Sequence, residues 1–219
     1  MFTNTRSNKI ISASQDGSPP AHKGRRARHL AAWLTPLALL GGVATLSAGC
    51  STSSTTPKAA TAVAPTVHEY MTILTGGMIK RKGWPKFAPS DITVPKGATV
   101  VLTIVSYDDG AAPLPSGMTY NNVTGGTETV DGKAVTTVAN SNLSHTFTIA
   151  SLGLNAPIPV SPGAGANGEL QPTTVVFTFK ATKSGTFTFQ CMAPCGSGPS
   201  GMGGAMMTNG YMKGTLTVA

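Results

Sequence analysis

The feature that most constrains this chain is how often it is interrupted. Its 219 residues include 26 glycines and 16 prolines, spaced so that no apolar helical stripe with caps survives between them. What remains between the breaks is short and alternating. In "FTFKATKSGTFTFQC", residues 177–191, Phe177 and Phe179 and then Phe187 and Phe189 fall on matching faces of two extended segments. Similar segments run along the chain: "HEYMTILT" (68–75), "LSHTFTIA" (143–150), "TTVVFTFKA" (173–181), "GTFTFQC" (185–191) and "MKGTLTVA" (212–219). "DITVPKGATVVLTIVSYD" (91–108) gives two strands around a Pro-Lys-Gly turn, and Asp131-Gly132 between β-branched residues signals a hairpin. Many short strands at regular spacing predict an all-β antiparallel sandwich or barrel. The stretches from Ala111 to Gly126 and from Pro157 to Pro172 read as long loops.

The first fifty residues belong to targeting rather than to the fold. A basic segment, "HKGRRARHL", precedes the uncharged run "LAAWLTPLALLGGVATLSAG", and small residues stand directly before Cys50. That order describes an export signal over residues 1–49. With a cysteine just after the cleavage position it resembles a bacterial lipoprotein signal, which implies lipidation of Cys50. An uncleaved anchor is the competing reading, since the run is long enough to span a bilayer. Residues 50–66, Ser/Thr/Ala/Pro-rich, then form a tether between lipid and domain, and residues 67–219 the domain itself. The expected location is the outer side of the cell membrane, facing the periplasm or extracytoplasmic space.

Charge follows the same division. Of 16 basic and 8 acidic residues, six basic and one acidic precede Cys50, leaving ten against seven and a net charge near +3. The overall +8 is mostly targeting and gives no footprint for nucleic acid. Lys80, Arg81, Lys82 and Lys86 around Trp84 make one basic, aromatic patch, suited to a solvated face or to an acidic surface. No nucleophile elbow, zinc-protease helix motif or phosphate loop occurs, so the chain does not read as an enzyme.

The chemistry concentrates in "CMAPCGSGPSGMGGAMMTNGYMKG", residues 191–214. Cys191 and Cys195 are the exported domain's only thiols, and Met202, Met206, Met207 and Met212 follow within eleven residues. Thiolates and thioethers at this density favour copper(I). Three readings stay open for the cysteines: metal ligands, a small-loop disulfide, or a redox-active pair. Only His68 and His145 lie in the domain, so the loop contains no imidazole of its own.

These residues carry a resemblance. "FAPSDITVPKGATVVLTIVSYD" resembles the opening strands of cupredoxins, "LSHTFTI" their first histidine strand, and "ATKSGTFTFQC" the strand delivering their copper cysteine. The resemblance spans about residues 68–219 and implies a Greek-key β-sandwich. Cys191-x-x-x-Cys195 is most similar to the copper domain of cytochrome c oxidase subunit II. It implies His145, Cys191, Cys195 and Met212 as copper ligands, with Met202 as an alternative axial or second-site ligand. Met206 and Met207 are possible additional copper(I) ligands. Pro199 or Tyr211 stands where that family places a second histidine, so a standard binuclear centre is not expected. The implied function is electron transfer with a redox protein partner. The alternatives are a copper(I) chaperone or buffer serving a copper-transfer partner, and a metal-free scaffold closed by a Cys191–Cys195 disulfide.

Overall fold

The computed structural model describes residues 63–219. The signal segment, Cys50 and the tether up to residue 62 lie outside the described residues. Thirteen strands follow in order: β1 (Thr66–Leu74), β2 (Lys86–Ala88), β3 (Asp91–Val94), β4 (Thr99–Ser106), β5 (Gly126–Val130), β6 (Lys133–Val135), β7 (Leu143–Ile149), β8 (Leu154–Pro159), β9 (Gly163–Ala164), β10 (Leu170–Gln171), β11 (Thr173–Lys180), β12 (Gly185–Gln190) and β13 (Lys213–Val218). They form a six-stranded sheet in the order β2-β1-β4-β11-β5-β6 and a five-stranded sheet in the order β3-β13-β12-β7-β8, with β9 and β10 as a small ribbon.

Period-2 alternation sorts the side chains. In β4, Val100, Leu102, Ile104 and Ser106 are buried while their neighbours are half-buried. In β11, Val175, Phe177 and Phe179 are buried, and in β12 Phe187 and Phe189. The two sheets face each other across this apolar layer, and Phe87, Phe147 and Phe189 meet there edge-on or tilted at 4.9–6.5 Å between centroids. Each fully buried side chain of this size contributes roughly 1.5–3 kcal/mol. The Asp131-Gly132 hairpin joins β5 and β6, with φ of 47° and 78° at its centre, the positive values that a tight two-residue turn needs.

Two expectations are corrected. The sheets are mixed rather than antiparallel, because β1 runs parallel to β4 and β13 parallel to β3. The Pro-Lys-Gly turn explains this: it moves the chain from β3 in one sheet to β4 in the other, so the two strands never pair with each other. The stretch beginning at Pro157 is not all loop. Leu154–Pro159 is β8, entirely buried, and it occupies the sheet edge, where missing amide donors break no ladder. The loop from Ala111 to Gly125 packs against β7 and β8. Ala112 N–H donates to Leu143 O at 2.7 Å, and Asn155 Nδ2 donates to the Tyr120 and Asn122 carbonyls. That cover is why β7 and β8 are buried throughout.

Candidate metal centre

Three segments bring chemistry to one end of the sandwich. The chain leaving β4 gives Asp108, two residues past the strand, β7 carries His145, and the chain leaving β12 gives Cys191 and Cys195. A register irregularity in β7 falls between Leu143 and His145, directly before the imidazole. Bulges of this kind re-aim a side chain beside a site.

The geometry is compact. One donor atom each from His145, Cys191 and Cys195 lies within 4.8 Å of the others. His145 Nδ1 is 3.9 Å from Cys191 Sγ, the two Sγ atoms are 3.4 Å apart, and Cys195 Sγ lies 3.2 Å from Met206 Sδ. Both cysteines are free thiols, their sulfurs well beyond the roughly 2.05 Å of a disulfide. Nitrogen and sulfur donors at roughly 2.0–2.3 Å around one tetrahedral ion stand about 3.3–3.8 Å from each other. The three measured separations, 3.2, 3.4 and 3.9 Å, lie within about 0.1 Å of that range. One imidazole, two thiols and a thioether therefore fit a soft metal such as copper(I).

The imidazole is fixed from behind. His145 Nε2 lies 3.0 Å from Asp108 Oδ2, with the histidine side chain wholly buried and the aspartate 22% exposed. Burial pulls the His145 pKa down, but the Asp108 hydrogen bond and the Cys191 sulfur more than offset it, raising the pKa to about 9. Asp108 responds in the opposite sense: burial works against its charge, yet its bond to His145 holds the carboxyl below its ordinary range. Between the thiols, burial opposes a charge on Cys191. The Cys195 thiol, His145 and the Thr146 amide override it and favour the Cys191 thiolate, whereas that charge and burial together keep Cys195 protonated.

A polar chain sets the position of Cys191. Thr146 N–H points to Cys191 Sγ at 3.4 Å, and Met192 N–H donates to Thr146 Oγ1 at 2.8 Å. Asn155 uses both amide hydrogens on the Tyr120 and Asn122 carbonyls, which leaves its Oδ1 as the acceptor. Thr148 must then donate to Asn155, at 2.6 Å, and Thr146 to Thr148, at 2.8 Å. One directional chain thus runs from Met192 to the buried amide.

The glycine-rich loop is well ordered by its own backbone. Gly196 N–H donates to Gly201 O, Ser197 and Gly203 exchange two bonds, and Gln190 Nε2 donates to Met206 O. The short 3₁₀ turn Gly204–Met206 then carries Met206 inward. A Cβ on Gly196 would strike Gly203 O and stand 2.6 Å from Met206 Cγ, so only glycine lets the loop fold back here beside the thioether.

The sequence-predicted residues thus separate. His145, Cys191, Cys195 and Met206 come together. Met212 is fully buried and its backbone is bound to the site, its carbonyl accepting from Cys191 N–H at 2.9 Å. Met202 is partly buried against the core. Met207 lies apart from them, because the turn that carries Met206 inward leaves its neighbour 67% exposed. His68 is exposed on β1 opposite Val101 of β4, seven residues before Asp108 in the chain, or roughly 23 Å if extended. Asp108 is the residue sequence reasoning missed. Its signal was present, an acid directly after an alternating strand, but only the fold brings it to a histidine 37 residues later.

Comparison with known proteins gives structural similarity only. No family description and no curated protein matches the chain. Among solved structures, a copper protein, rusticyanin, matches at 17% identity and a TM-score of 0.32, covering 70% of this chain and 78% of that one. Rusticyanin from Thiobacillus ferrooxidans in another structure matches at 17% identity and 0.31, covering 70% and 77%. Copper nitrite reductase from Nitrosomonas europaea matches at 17% and 0.30, and 41% of its length is covered by 70% of this chain.

Proposed function

We propose that this domain binds copper through His145, Cys191, Cys195 and Met206, and serves electron transfer. The observation that carries this reading is the donor spacing: 3.4 Å between the thiols, 3.9 Å from Cys191 to the imidazole and 3.2 Å from Cys195 to the thioether. His145 would offer Nδ1 because Asp108 occupies Nε2, and Asp108 would fix the ring plane. Copper supplies the one-electron couple; the protein supplies a buried donor set already close to its bound geometry, which lowers the reorganisation an electron transfer must overcome. Met212 is a further candidate ligand, given its burial beside Cys191. Protein loaded with copper(II) should show intense thiolate-to-copper absorption that disappears in Cys191→Ser. A colourless protein holding no copper overturns the reading.

A second reading, copper(I) storage or handover to a copper-transfer partner, draws on one observation. The set contains one imidazole and three sulfurs, a composition that favours copper(I) over copper(II). Tight copper(I) binding without a stable copper(II) spectrum would select it.

Membrane tethering through lipid on Cys50 completes the proposal and rests on "LSAGC" and the tether sequence. Cys50→Ser should release the exported protein from the membrane fraction; unchanged fractionation would exclude lipidation as the anchor.

A further inference from the structure

His145, Cys191 and Met206 are all at 0% exposure, so none can meet an incoming ligand without the fold opening. Cys195 is different. It is partly exposed and lines a cavity of about 330 Å³, together with Asp108, Gly76, Gly83, Ala111 and Pro194. A larger hollow of about 470 Å³ beside Thr186 and Thr188 touches none of the four donors.

On one side the smaller cavity is lined by the two ends of a charged loop. Gly76 and Gly83 bracket a loop carrying Lys80, Arg81 and Lys82, all exposed, with Lys86 just beyond. Arg81 is held in place: its Nη1 donates to Tyr211 Oη at 2.7 Å, and its guanidinium lies 3.3 Å over the Trp84 ring. Asp108 on the cavity wall and Asp109 beside it are the opposing acids. Asp108 is already committed to His145, so the outward field is set mainly by the basic loop.

We propose that this cavity is the port by which copper is loaded and removed, with Cys195 the ligand that exchanges, and that its carrier is an anionic copper(I)–thiolate complex. The inference rests on the copper reading above. In the exchange, one copper–sulfur bond to the carrier breaks as one to Cys195 Sγ forms. Copper stays in the +1 state, and the Cys195 proton passes to the carrier sulfur set free. The carrier thiol belongs either to a small molecule or to an acidic protein segment, and the cavity admits a side chain of either.

The test is rapid-mixing transfer to the reduced full domain from two carriers of equal donor chemistry and opposite charge, copper(I)–glutathione and copper(I)–cysteamine. A third arm presents the same cysteine within an acidic peptide. Ala111→Trp, at the exposed mouth, should slow both uptake and release by about 10-fold or more while the equilibrium affinity stays within about 2-fold, because blocking a path changes both rates alike. Thr188→Trp, at an exposed position in the hollow that touches none of the four donors, should change neither. Lys80→Glu with Lys82→Glu should slow the anionic carriers by about 10-fold and reverse the preference for them over cysteamine. Faster transfer from the peptide than from glutathione would identify a protein carrier; the reverse would identify a small thiol. Unchanged rates in both Ala111→Trp and the charge reversal overturn the port. If Ala111→Trp does not fold, the charge reversal alone decides. If the wild type takes up no copper at all, the metal reading itself has failed, which is a different result.

Discussion

Two carboxyl groups of this domain, one partly and one fully buried, have opposite fates. Asp108, just beyond β4, meets an imidazole at 3.0 Å and stays below its ordinary pKa despite burial. Glu128, in the middle of β5, is 3% exposed with no hydrogen-bond partner for either oxygen, and burial alone pushes its pKa up to about 8. Burial is common to both acids, so the partner makes the difference. The end of the sandwich bearing the candidate metal ligands is built to hold charge, whereas the sheet interior tolerates an acid only as a neutral group.

The largest expected effect breaks the comparison on the Glu128 side. In the unfolded chain this group titrates near 4.5 and in the folded protein near 8. Its contribution is therefore fully present below pH 4.5 and is lost as pH rises through 8, at up to about 1.4 kcal/mol per pH unit. Glu128→Gln should flatten denaturant-measured stability between pH 5 and 8, whatever it costs at pH 5. Equal slopes in the two proteins would show that Glu128 is not neutral in the fold.

On the Asp108 side, Asp108→Asn removes the charge that holds the imidazole. The His145 pKa should fall in NMR titration of the metal-free protein, and copper affinity should drop about 10–100-fold, the usual cost of losing a carboxylate behind a metal-bound histidine. An unaltered His145 titration would mean that Cys191 alone accounts for its raised pKa.

Asn155 sharpens the contrast as a buried polar group that is both neutral and fully bonded. Asn155→Ala should cost about 1–2 kcal/mol with no pH dependence over pH 5–8. Because the chain through Thr148 and Thr146 ends at Met192, the same change should also shift the copper–thiolate band. A stability loss with an unmoved band would confine Asn155 to holding the loop.

The strands were legible because alternation is local. β7, β11, β12 and β13 fall within a residue or so of their expected limits, and the Asp131-Gly132 turn is where its backbone demands place it. What could not be read depended on contacts far apart in the chain. β8 was hidden by Pro157 and Pro159, which are acceptable only because that strand became an edge. Parallel pairing of β1 with β4 follows from a sheet switch that no local pattern encodes. His145 could be named because it occupies a strand and Cys191 because it directly follows one, and Cys195 through its four-residue spacing from Cys191 in the motif that carries the resemblance. The choice among four methionines could not, because it turns on a 3₁₀ turn that faces Met206 inward and Met207 outward. Nor does glycine density show that the backbone groups of this loop bond one another.

The central claim is that one imidazole, two thiols and a thioether hold a single copper ion. X-ray absorption of the reduced, copper-loaded domain tests it most directly. The account predicts one copper per chain in a shell dominated by sulfur with a single nitrogen scatterer, losing sulfur in Met206→Leu and in Cys195→Ser. A shell of nitrogen and oxygen only, or one unchanged by both substitutions, would contradict it.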